Sequence, residues 1–304
     1  MREVQKLGLL GLGEAVTAIA RGLSGRDPQH EIAEDRRPAQ IHAWKRAPVD
    51  DATRQRAEQA GASVSDDVVA VVSASDVIFS LVPPTAAVEV ARLAAPHCSG
   101  KVYVDLNATA LRAMEECAEI IGAAGGHFVD GAIMGPLGRQ GHHVSTVVSG
   151  QEAESVAEHL RGWDMDVRAI GTRPGLASTV KMVRSVYTKG LEAIVLEFMI
   201  AAHKHGATEL VLESLEEILR LGPFLKPFRE MVDELVDEQV DHAPRRAAEM
   251  EQVVQTLDEL GVEPKMARST LATLSEVVDA GLPAKISDGE RTTEAILEIL
   301  ARQD

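Results

Sequence analysis

The sequence of 304 residues predicts an α/β domain followed by an all-helical domain. Up to about residue 171, short apolar runs alternate with helical patterns, which is typical of a largely parallel sheet covered by helices on both faces. A long helical pattern without proline then occupies residues 176–205, and helical patterns continue towards the end of the chain. Since the length also suits two domains, we expect them at 1–171 and 172–304.

The first domain opens with a strand at 6–10, a turn formed by Gly11-Leu-Gly13 and a helix at 15–23. A polar segment with two prolines, 24–40, predicts a loop. Further strands are expected at 41–44, 77–82, 102–106, 127–129 and 145–148, and further helices at 53–60, 86–94 and 108–123. In the second domain, glycine and proline predict helix breaks at 222–223, 244, 261–264 and 281–283.

Composition narrows the class of protein. Hydrophobic residues make up 45% and charged residues 26%, as in ordinary globular proteins, and the net charge of -16 argues against general nucleic-acid binding. The only cysteines, Cys98 and Cys117, lack metal-ligand spacing, so we expect reduced thiols and no metal site. The apolar segment 7–12 is too short for a signal sequence or a membrane span. We therefore expect a cytoplasmic protein with a small-molecule substrate and no nucleic-acid or membrane partner.

The first glycine turn has the form of a dinucleotide-binding turn. Such a site needs a tight turn after the first strand, a bare backbone near the pyrophosphate and a helix N-terminus that faces the anion. Gly11 and Gly13 meet the first two needs, whereas Val16 stands where the pattern has glycine or alanine. The order strand, turn, helix favours a Rossmann-like domain over an unrelated glycine turn. The residues expected to bind the cofactor here are Gly11, Leu12, Gly13, Glu14 and Ala15.

The end of the second strand indicates which nicotinamide cofactor is used. A carboxylate at that point holds the ribose hydroxyl of NAD, while a cation accommodates the extra phosphate of NADP. The strand here ends with Lys45 and Arg46, and the guanidinium suits a phosphate. We therefore expect NADPH, with NAD as the alternative because Asp50 and Asp51 follow closely.

Two later strand ends should border the cofactor, because α/β folds bind ligands at the carboxyl ends of strands. Val82 and Pro83 form a rigid apolar turn after one strand. Asp105, Asn107 and Thr109 follow the next and could hydrogen-bond ribose or the nicotinamide amide. For Asn107 and Thr109 an N-cap of the following helix is an equal alternative.

With these motifs the chain resembles the β-hydroxyacid dehydrogenases, the group of 6-phosphogluconate and 3-hydroxyisobutyrate dehydrogenases. More narrowly, the chain resembles a branch of this group whose helical C-terminal domain has no assigned substrate. It covers nearly the whole chain. The motifs that carry it are Gly11-Leu-Gly13, Val82-Pro83-Pro84, Asp130-Gly-Ala-Ile-Met-Gly-Pro136, Gly175-Leu-Ala-Ser-Thr-Val-Lys181 and His242-Ala-Pro-Arg-Arg-Ala-Ala-Glu-Met250.

The resemblance implies that Lys181 is the catalytic acid and base, although a lone helical lysine is more often merely solvated. To act near neutral pH its pKa must be lowered by burial or a nearby cation. The family has asparagines three and four residues later, where this chain has Arg184 and Ser185, and Met134-Gly135-Pro136 replaces a Ser-Gly-Gly loop. These replacements change the expected substrate contacts, so the resemblance does not carry over 6-phosphogluconate as substrate.

In the second domain, His242, Arg245, Arg246 and Glu249 would share one face of a continuous helix. A charged, solvated face is the ordinary interpretation, and Pro244 favours a helix that begins near it. The resemblance instead implies that C-terminal helices complete the active site, with His242, Arg245 or Arg246 on an anionic substrate. It also implies a homodimer, which the apolar stretch 193–202 favours.

The sequence thus predicts an NADP(H)-dependent oxidoreductase that transfers hydride between nicotinamide and a small hydroxy or carbonyl compound. Imine reduction is the nearest alternative, because the same hydride geometry serves both reactions. A sensor or assembly protein that binds NADPH without turnover is the alternative from another class. It is favoured by the unusual residues around Lys181.

Overall fold

The computed structural model describes residues 6–302, apart from the side chain of Asp288. It contains two compact units that divide between Val186 and Tyr187. The boundary expected near residue 171 coincides with the end of the last strand, whereas the compact unit continues into the helix that follows.

An eight-stranded sheet forms the centre of the first unit. Its strands are β1 Lys6–Leu10, β2 Gln40–Trp44, β3 Ser63–Ser65, β4 Val77–Ser80, β5 Val102–Asp105, β6 His127–Ile133, β7 Thr146–Ser149 and β8 Val167–Gly171. Their order across the sheet is β3-β2-β1-β4-β5-β6-β7-β8, and all neighbours are parallel except β6 and β7. The predicted Rossmann-like arrangement is therefore confirmed, with an antiparallel step near one edge.

Helices account for most of the remaining chain. They are α1 Glu14–Leu23, α2 Asp51–Gln59, α3 Val68–Ser73, α4 Ala87–Ala94, α5 Leu111–Ala123, α6 Leu137–Gln140, α7 Ala153–Gly162 and α8 Leu176–Lys204. After α8 come α9 Thr208–Ile218, α10 Phe228–Asp237, α11 Gln239–Glu259, α12 Lys265–Asp279, α13 Leu282–Lys285 and α14 Thr293–Leu300. The predicted all-helical second part is confirmed in the described residues.

The sheet is apolar on both faces because helices cover both. Successive side chains of a strand point to opposite faces. In β1, Leu9 belongs to one buried cluster and Leu10 to the other, and in β4 Phe79 and Ile78 divide in the same way. This two-sided burial explains why the inner strands have continuous apolar runs instead of alternating ones.

Several boundaries differ from the sequence expectation for identifiable reasons. The predicted helix at 108–123 begins only at Leu111, because Ala108 has a left-handed backbone (φ +48°). The break predicted at Pro244 is wrong, since this proline lies inside the continuous helix α11. The His242 amide donates to the Glu238 carbonyl oxygen, so the helix is already formed before the proline. Pro244 removes only its own hydrogen bond near the start of a long helix.

The second unit has two smaller buried clusters. One is built around Val254 and Leu257, and the other around Leu282 and Ile296. The Glu197 carboxylate caps α12 by accepting hydrogen bonds from the amides of Met266 (2.8 Å) and Ala267 (2.9 Å). Among the described helices, none is long and apolar enough to cross a membrane.

Candidate dinucleotide and lysine site

The turn between β1 and α1 requires glycine at its first position. Gly11 has φ +120°, and a Cβ atom there would lie 2.2 Å from the carbonyl oxygen of Leu81. The Gly11 amide donates to the carbonyl oxygen of Trp44 (2.9 Å). The turn is therefore held tightly between the ends of the two strands that flank β1.

The second glycine leaves the start of α1 uncovered. Gly13 is the N-cap residue of α1 and provides no side-chain hydrogen bond to the helix. No described atom lies within 4 Å of the position a Cβ would take at Gly13. The first amides of α1 are thus available as donors for an anion, as a pyrophosphate would require. Glu14 is exposed in this first turn, whereas Val16 is buried in the core beneath it.

A cavity of about 480 Å³ lies over this turn. It brings together nine of the ten residues predicted to bind the cofactor, and it also includes Val16 and Leu81, which the sequence interpretation did not include. The lining residues are Gly11, Leu12, Gly13, Glu14, Ala15, Val16, Lys45, Arg46, Leu81, Val82 and Pro83. Leu81 could have been found from sequence, since it directly precedes the predicted Val82-Pro83 turn.

The basic residues after β2 lie on one side of this cavity. Arg46 donates to Glu89 (Nη2 to Oε1, 2.9 Å), and both side chains remain more than half exposed. Lys45 donates from Nζ to the carbonyl oxygen of Pro48 (3.1 Å). Asp50 is the N-cap of α2 and accepts from the Thr53 amide (2.8 Å), and hydrogen bonds from Thr53 lower the pKa of its carboxyl group. Asp50 therefore serves the helix, while the Arg46 guanidinium is exposed towards the cavity side.

The tenth predicted residue, Asn107, connects two strand ends. Its Oδ1 accepts from the Val82 amide (2.7 Å) and its Nδ2 donates to the Ser80 hydroxyl (3.0 Å). The alternative of an N-cap is wrong for Asn107 and Thr109, since Ala110 takes that position without a side-chain hydrogen bond. Asn107 thus fixes the backbone of a cavity residue instead of capping α5.

The expected contact of Asp105 with ribose is wrong, because the Asp105 side chain is completely buried. Its Oδ1 accepts from the Asn107 amide (2.9 Å), and its Oδ2 has no hydrogen-bond partner among the described residues. Burial, opposed by that hydrogen bond and reinforced by the negative charge of Asp130, raises the pKa of Asp105 to about 7. Asp105 is thus a buried structural carboxyl group that is partly protonated near neutral pH.

A second buried carboxyl group, Asp130 in β6, anchors the start of α8. It accepts hydrogen bonds from the hydroxyl (2.5 Å) and the amide (3.0 Å) of Ser178. The hydroxyl of Ser149 donates to Asp130 (3.2 Å) and accepts from the Ala177 amide (3.0 Å). Burial raises the pKa of Asp130 in spite of these hydrogen bonds. The sheet therefore fixes the first turn of the helix that carries Lys181.

Lys181 lies three residues after Ser178 and is half-buried. Burial, and secondly the positive charge of Arg184, lowers the pKa of its ammonium group. Arg184 donates from Nη1 to the carbonyl oxygen of Met134 (2.9 Å), and Ser185 donates from its hydroxyl to the carbonyl oxygen of Lys181 (2.9 Å). Lys181 thus has the lowered basicity that an acid and base residue needs, beside a fixed cation.

Packing brings the start of α8 to the same edge of the sheet as the cavity. Ala177 is buried against Ala108 and Ala132, and a Cβ on Gly175 would lie 2.4 Å from Leu111 Cδ1. Ala108 directly follows Asn107, which is bonded to the cavity-lining Val82. Contacts thus connect Ala177 to the cavity-lining Val82, and Lys181 lies one helical turn after Ala177.

The predicted loop residues are Met134 and Gly135. The Met134 amide donates to the carbonyl oxygen of Ser145 (2.7 Å), and a Cβ on Gly135 would lie 2.3 Å from Gln140 Oε1. The backbone of this loop is therefore fixed by Ser145, which directly precedes β7, and by Arg184. Met134 offers a carbonyl oxygen in place of a side-chain hydroxyl.

The predicted residues of the C-terminal domain lie in the second compact unit, on α11. Arg245 pairs with Glu249 and Arg246 with Glu238, while His242 is exposed. The arginine charges are therefore balanced within that unit, as in the ordinary interpretation of a charged helix face. The role of these three residues in substrate binding stays a prediction.

Two family models match the chain. The model described as "NADP oxidoreductase coenzyme F420-dependent" matches residues 6–109, which include the cavity-lining residues. The model described as "Domain of unknown function (DUF1932)" matches residues 202–277, which include α9, α10 and α11.

Similar proteins cover most of the chain. An uncharacterized 28.5 kDa protein of Methanothermus fervidus is 30% identical over 212 residues, which are 70% of this chain and 76% of that protein. A conserved protein of unknown function, described as structurally similar to 3-hydroxyacid dehydrogenases, is 30% identical, with a TM-score of 0.56 and coverage of 90% of this chain and 97% of that chain. An imine reductase from Myxococcus stipitatus in complex with NADP+ is 16% identical, with a TM-score of 0.73 and coverage of 98% and 100%, and shares the fold.

Proposed function

The chain belongs to the β-hydroxyacid dehydrogenase-like family of NAD(P)-dependent oxidoreductases with a helical C-terminal domain, and we propose that it uses NADPH to reduce a small carbonyl compound. The reverse reaction, oxidation of the hydroxy compound, uses the same groups. The observation that carries this proposal is the position of a half-buried lysine, Lys181, at the same sheet edge as an uncapped dinucleotide-type turn.

The residues around the cavity fit a dinucleotide. Gly13 leaves the first amides of α1 available to a pyrophosphate, and Gly11 allows the turn to approach Leu81. The exposed guanidinium of Arg46 suits a 2′-phosphate, and the nearby Asp50 is occupied as a helix cap. These features support NADPH over NADH as the preferred cofactor.

A bound nicotinamide would supply or accept the hydride. Lys181, as an ammonium group, donates a proton to the alkoxide that develops on the substrate carbonyl oxygen. In the oxidative direction its neutral amine accepts the hydroxyl proton. Burial and the charge of Arg184 favour the neutral amine, which makes the lysine effective nearer to neutral pH. Arg184, beside it, supports a substrate that carries an anionic group.

Imine reduction is the second candidate. It is favoured by the fold, which matches imine reductases along nearly the whole chain, and by Met134, which offers no side-chain hydroxyl to a substrate. The hydride geometry is the same, but protonation would then occur at a nitrogen atom. Lys181 favours the carbonyl reaction because its ammonium group can protonate an alkoxide, whereas a cationic iminium substrate would be repelled.

The experiment that tests the cofactor assignment is a titration of NADPH and NADH by protein fluorescence or calorimetry. We expect NADPH to bind more tightly, and Arg46→Ala to weaken NADPH binding by about tenfold or more while leaving NADH nearly unchanged, since a charge-assisted hydrogen bond is lost. Arg92→Ala is the matched control, because Arg92 forms a similar exposed pair with Glu116 away from the cavity lining. Equal affinities for both cofactors would contradict the assignment.

The reaction is tested by NADPH oxidation with a panel of keto acids, aldehydes and preformed cyclic imines. Turnover of anionic carbonyl compounds supports the main proposal, and turnover of imines alone supports the second candidate. Tight NADPH binding without turnover of any compound would instead indicate a sensor or assembly protein.

A further inference from the structure

Two histidines and an aspartate lie close together outside the dinucleotide cavity, near the C-terminal end of α1. His142 and His143 belong to a short 3-10 segment, Gly141–His143, between α6 and β7. Asp164 lies in the turn after α7. Each of these three side chains offers one ligand atom, and the three atoms lie within 4.8 Å of one another. The group therefore has the size of a metal coordination sphere.

His142 is the unusual member of this group. Its side chain is completely buried, yet neither ring nitrogen has a hydrogen-bond partner among residues 6–302. A buried polar nitrogen without a partner destabilises the folded protein, because it has lost its hydrogen bonds to water and gained none in return. Space for the ring is provided by Gly22 of α1, where a Cβ would lie 2.2 Å from Nδ1 of His142. A bound ion would satisfy a nitrogen that the protein itself leaves without a partner.

The other two side chains are oriented as ligands would be. The Nε2 atom of His143 lies 3.2 Å from Oδ2 of Asp164. Two ligands of a tetrahedral zinc ion, each at about 2.0–2.1 Å, are separated by roughly 3.3 Å. Arg36 pairs with the other oxygen, Oδ1, of Asp164 and so fixes the carboxylate while leaving Oδ2 directed at His143. Both His143 and Asp164 are partly exposed, so an ion can enter from solvent.

We propose that His142, His143 and Asp164 bind a divalent transition-metal ion of the zinc type. Two imidazole nitrogens and one carboxylate oxygen suit such an ion, and water would complete the coordination. The ion would join the 3-10 segment to the turn after α7, and so would fix the end of the segment that begins at Met134. This site is independent of the proposed oxidoreductase activity. It differs from the sequence expectation of no metal, because the cysteines on which that expectation rested take no part.

The test uses the full chain without a histidine tag, first treated with a chelator. Calorimetry with Zn²⁺ should give one ion per chain at this site, and Co²⁺ should give visible absorption bands typical of low-coordinate nitrogen and oxygen ligation. His143→Ala and Asp164→Asn should each weaken binding by at least about tenfold. Asparagine is chosen because Asp164 has a left-handed backbone (φ +61°) that asparagine tolerates.

Two control variants separate metal binding from other effects. Arg36→Gln breaks the same ion pair as Asp164→Asn but keeps all three ligands, so Zn²⁺ affinity should fall less than in Asp164→Asn. His127→Ala removes another partly exposed histidine beside a carboxylate, Glu152, and should leave binding unchanged. His142→Ala is included only if circular dichroism and melting show that it is folded. Absence of Zn²⁺ and Co²⁺ binding, or equal affinity in the parent, His143→Ala and Asp164→Asn, would overturn the proposal.

Discussion

The two compact units differ in how completely they bury their apolar side chains. Among the largest fully buried side chains of the described residues, only Leu282 belongs to the second unit. Conversely, 17 of the 24 large apolar side chains that remain exposed in the described residues lie in the second unit. The first unit therefore stabilises its own core, whereas the second leaves apolar surface uncovered.

This contrast suggests a division of roles. The first unit contains the dinucleotide-type cavity, the buried carboxyl groups and Lys181, each held by sheet and helix ends. The second has small clusters and a long helix with exposed apolar residues such as Leu196, which is 63% exposed. Because large apolar patches on soluble proteins mark contact surfaces, we expect a second copy of the chain to cover it.

The largest expected effect tests whether the chemistry belongs to the first unit. Lys181→Met should lower the catalytic rate by roughly two to four orders of magnitude, the range for loss of a positioned acid and base. NADPH affinity and melting temperature should stay close to those of the parent, since the long side chain is replaced by one of similar shape. Steady-state kinetics on a substrate of the parent checks this. Near-normal turnover would place the acid and base elsewhere.

The next effect concerns the buried charge in the first unit. Folding raises the pKa of Asp105 from 3.8 to about 7, so the folded protein binds this proton more tightly than the unfolded chain does. The resulting contribution to the free energy of unfolding is complete below pH 3.8 and is lost as the pH rises through 7. At about 1.4 kcal/mol per pKa unit, the difference is roughly 4 kcal/mol. Asp105→Asn should therefore make the free energy of unfolding less dependent on pH between 4 and 8. The free energy of unfolding is measured by denaturant unfolding at each pH. The same dependence of this free energy on pH in variant and parent would show that Asp105 does not titrate in this window.

A smaller effect tests the uncovered surface of the second unit. Leu196→Asp should weaken homodimer formation by at least about tenfold, since an exposed apolar group is replaced by a charge. Sedimentation velocity over a range of concentrations measures this. Leu93→Asp is the matched control, because Leu93 is an exposed leucine of α4 in the first unit. A parent protein that sediments only as a monomer would contradict the expected dimer.

The smallest effect refines the role of the cation beside Lys181. Arg184→Gln should raise the lysine pKa, because the charge of Arg184 is the second cause, after burial, of its lowering. A lysine with a higher pKa stays protonated to higher pH, so the falling limb of the pH profile for carbonyl reduction should move upwards. Lys189→Gln, which removes an exposed cation paired with Glu192 on the same helix, should leave the profile in place. An unmoved limb in Arg184→Gln would exclude this coupling.

The sequence by itself determined the elements that depend on local chemistry. The turn at Gly11 and Gly13, the apolar inner strands and the long helix α8 follow from glycine conformation and apolar periodicity, which are properties of a short stretch of chain. The residues around the cavity could be named in advance for the same reason, since carboxyl ends of parallel strands meet at one edge.

The tertiary structure alone decided which distant groups meet. The short strand β3 and the edge strand β8 have weak local patterns and form because neighbouring strands provide hydrogen-bond partners. The contact of Asp130 with Ser178 and that of His143 with Asp164 join residues far apart in the sequence. Spacing along the chain contains no signal for such pairs, because burial and the packing of whole helices and strands bring them together.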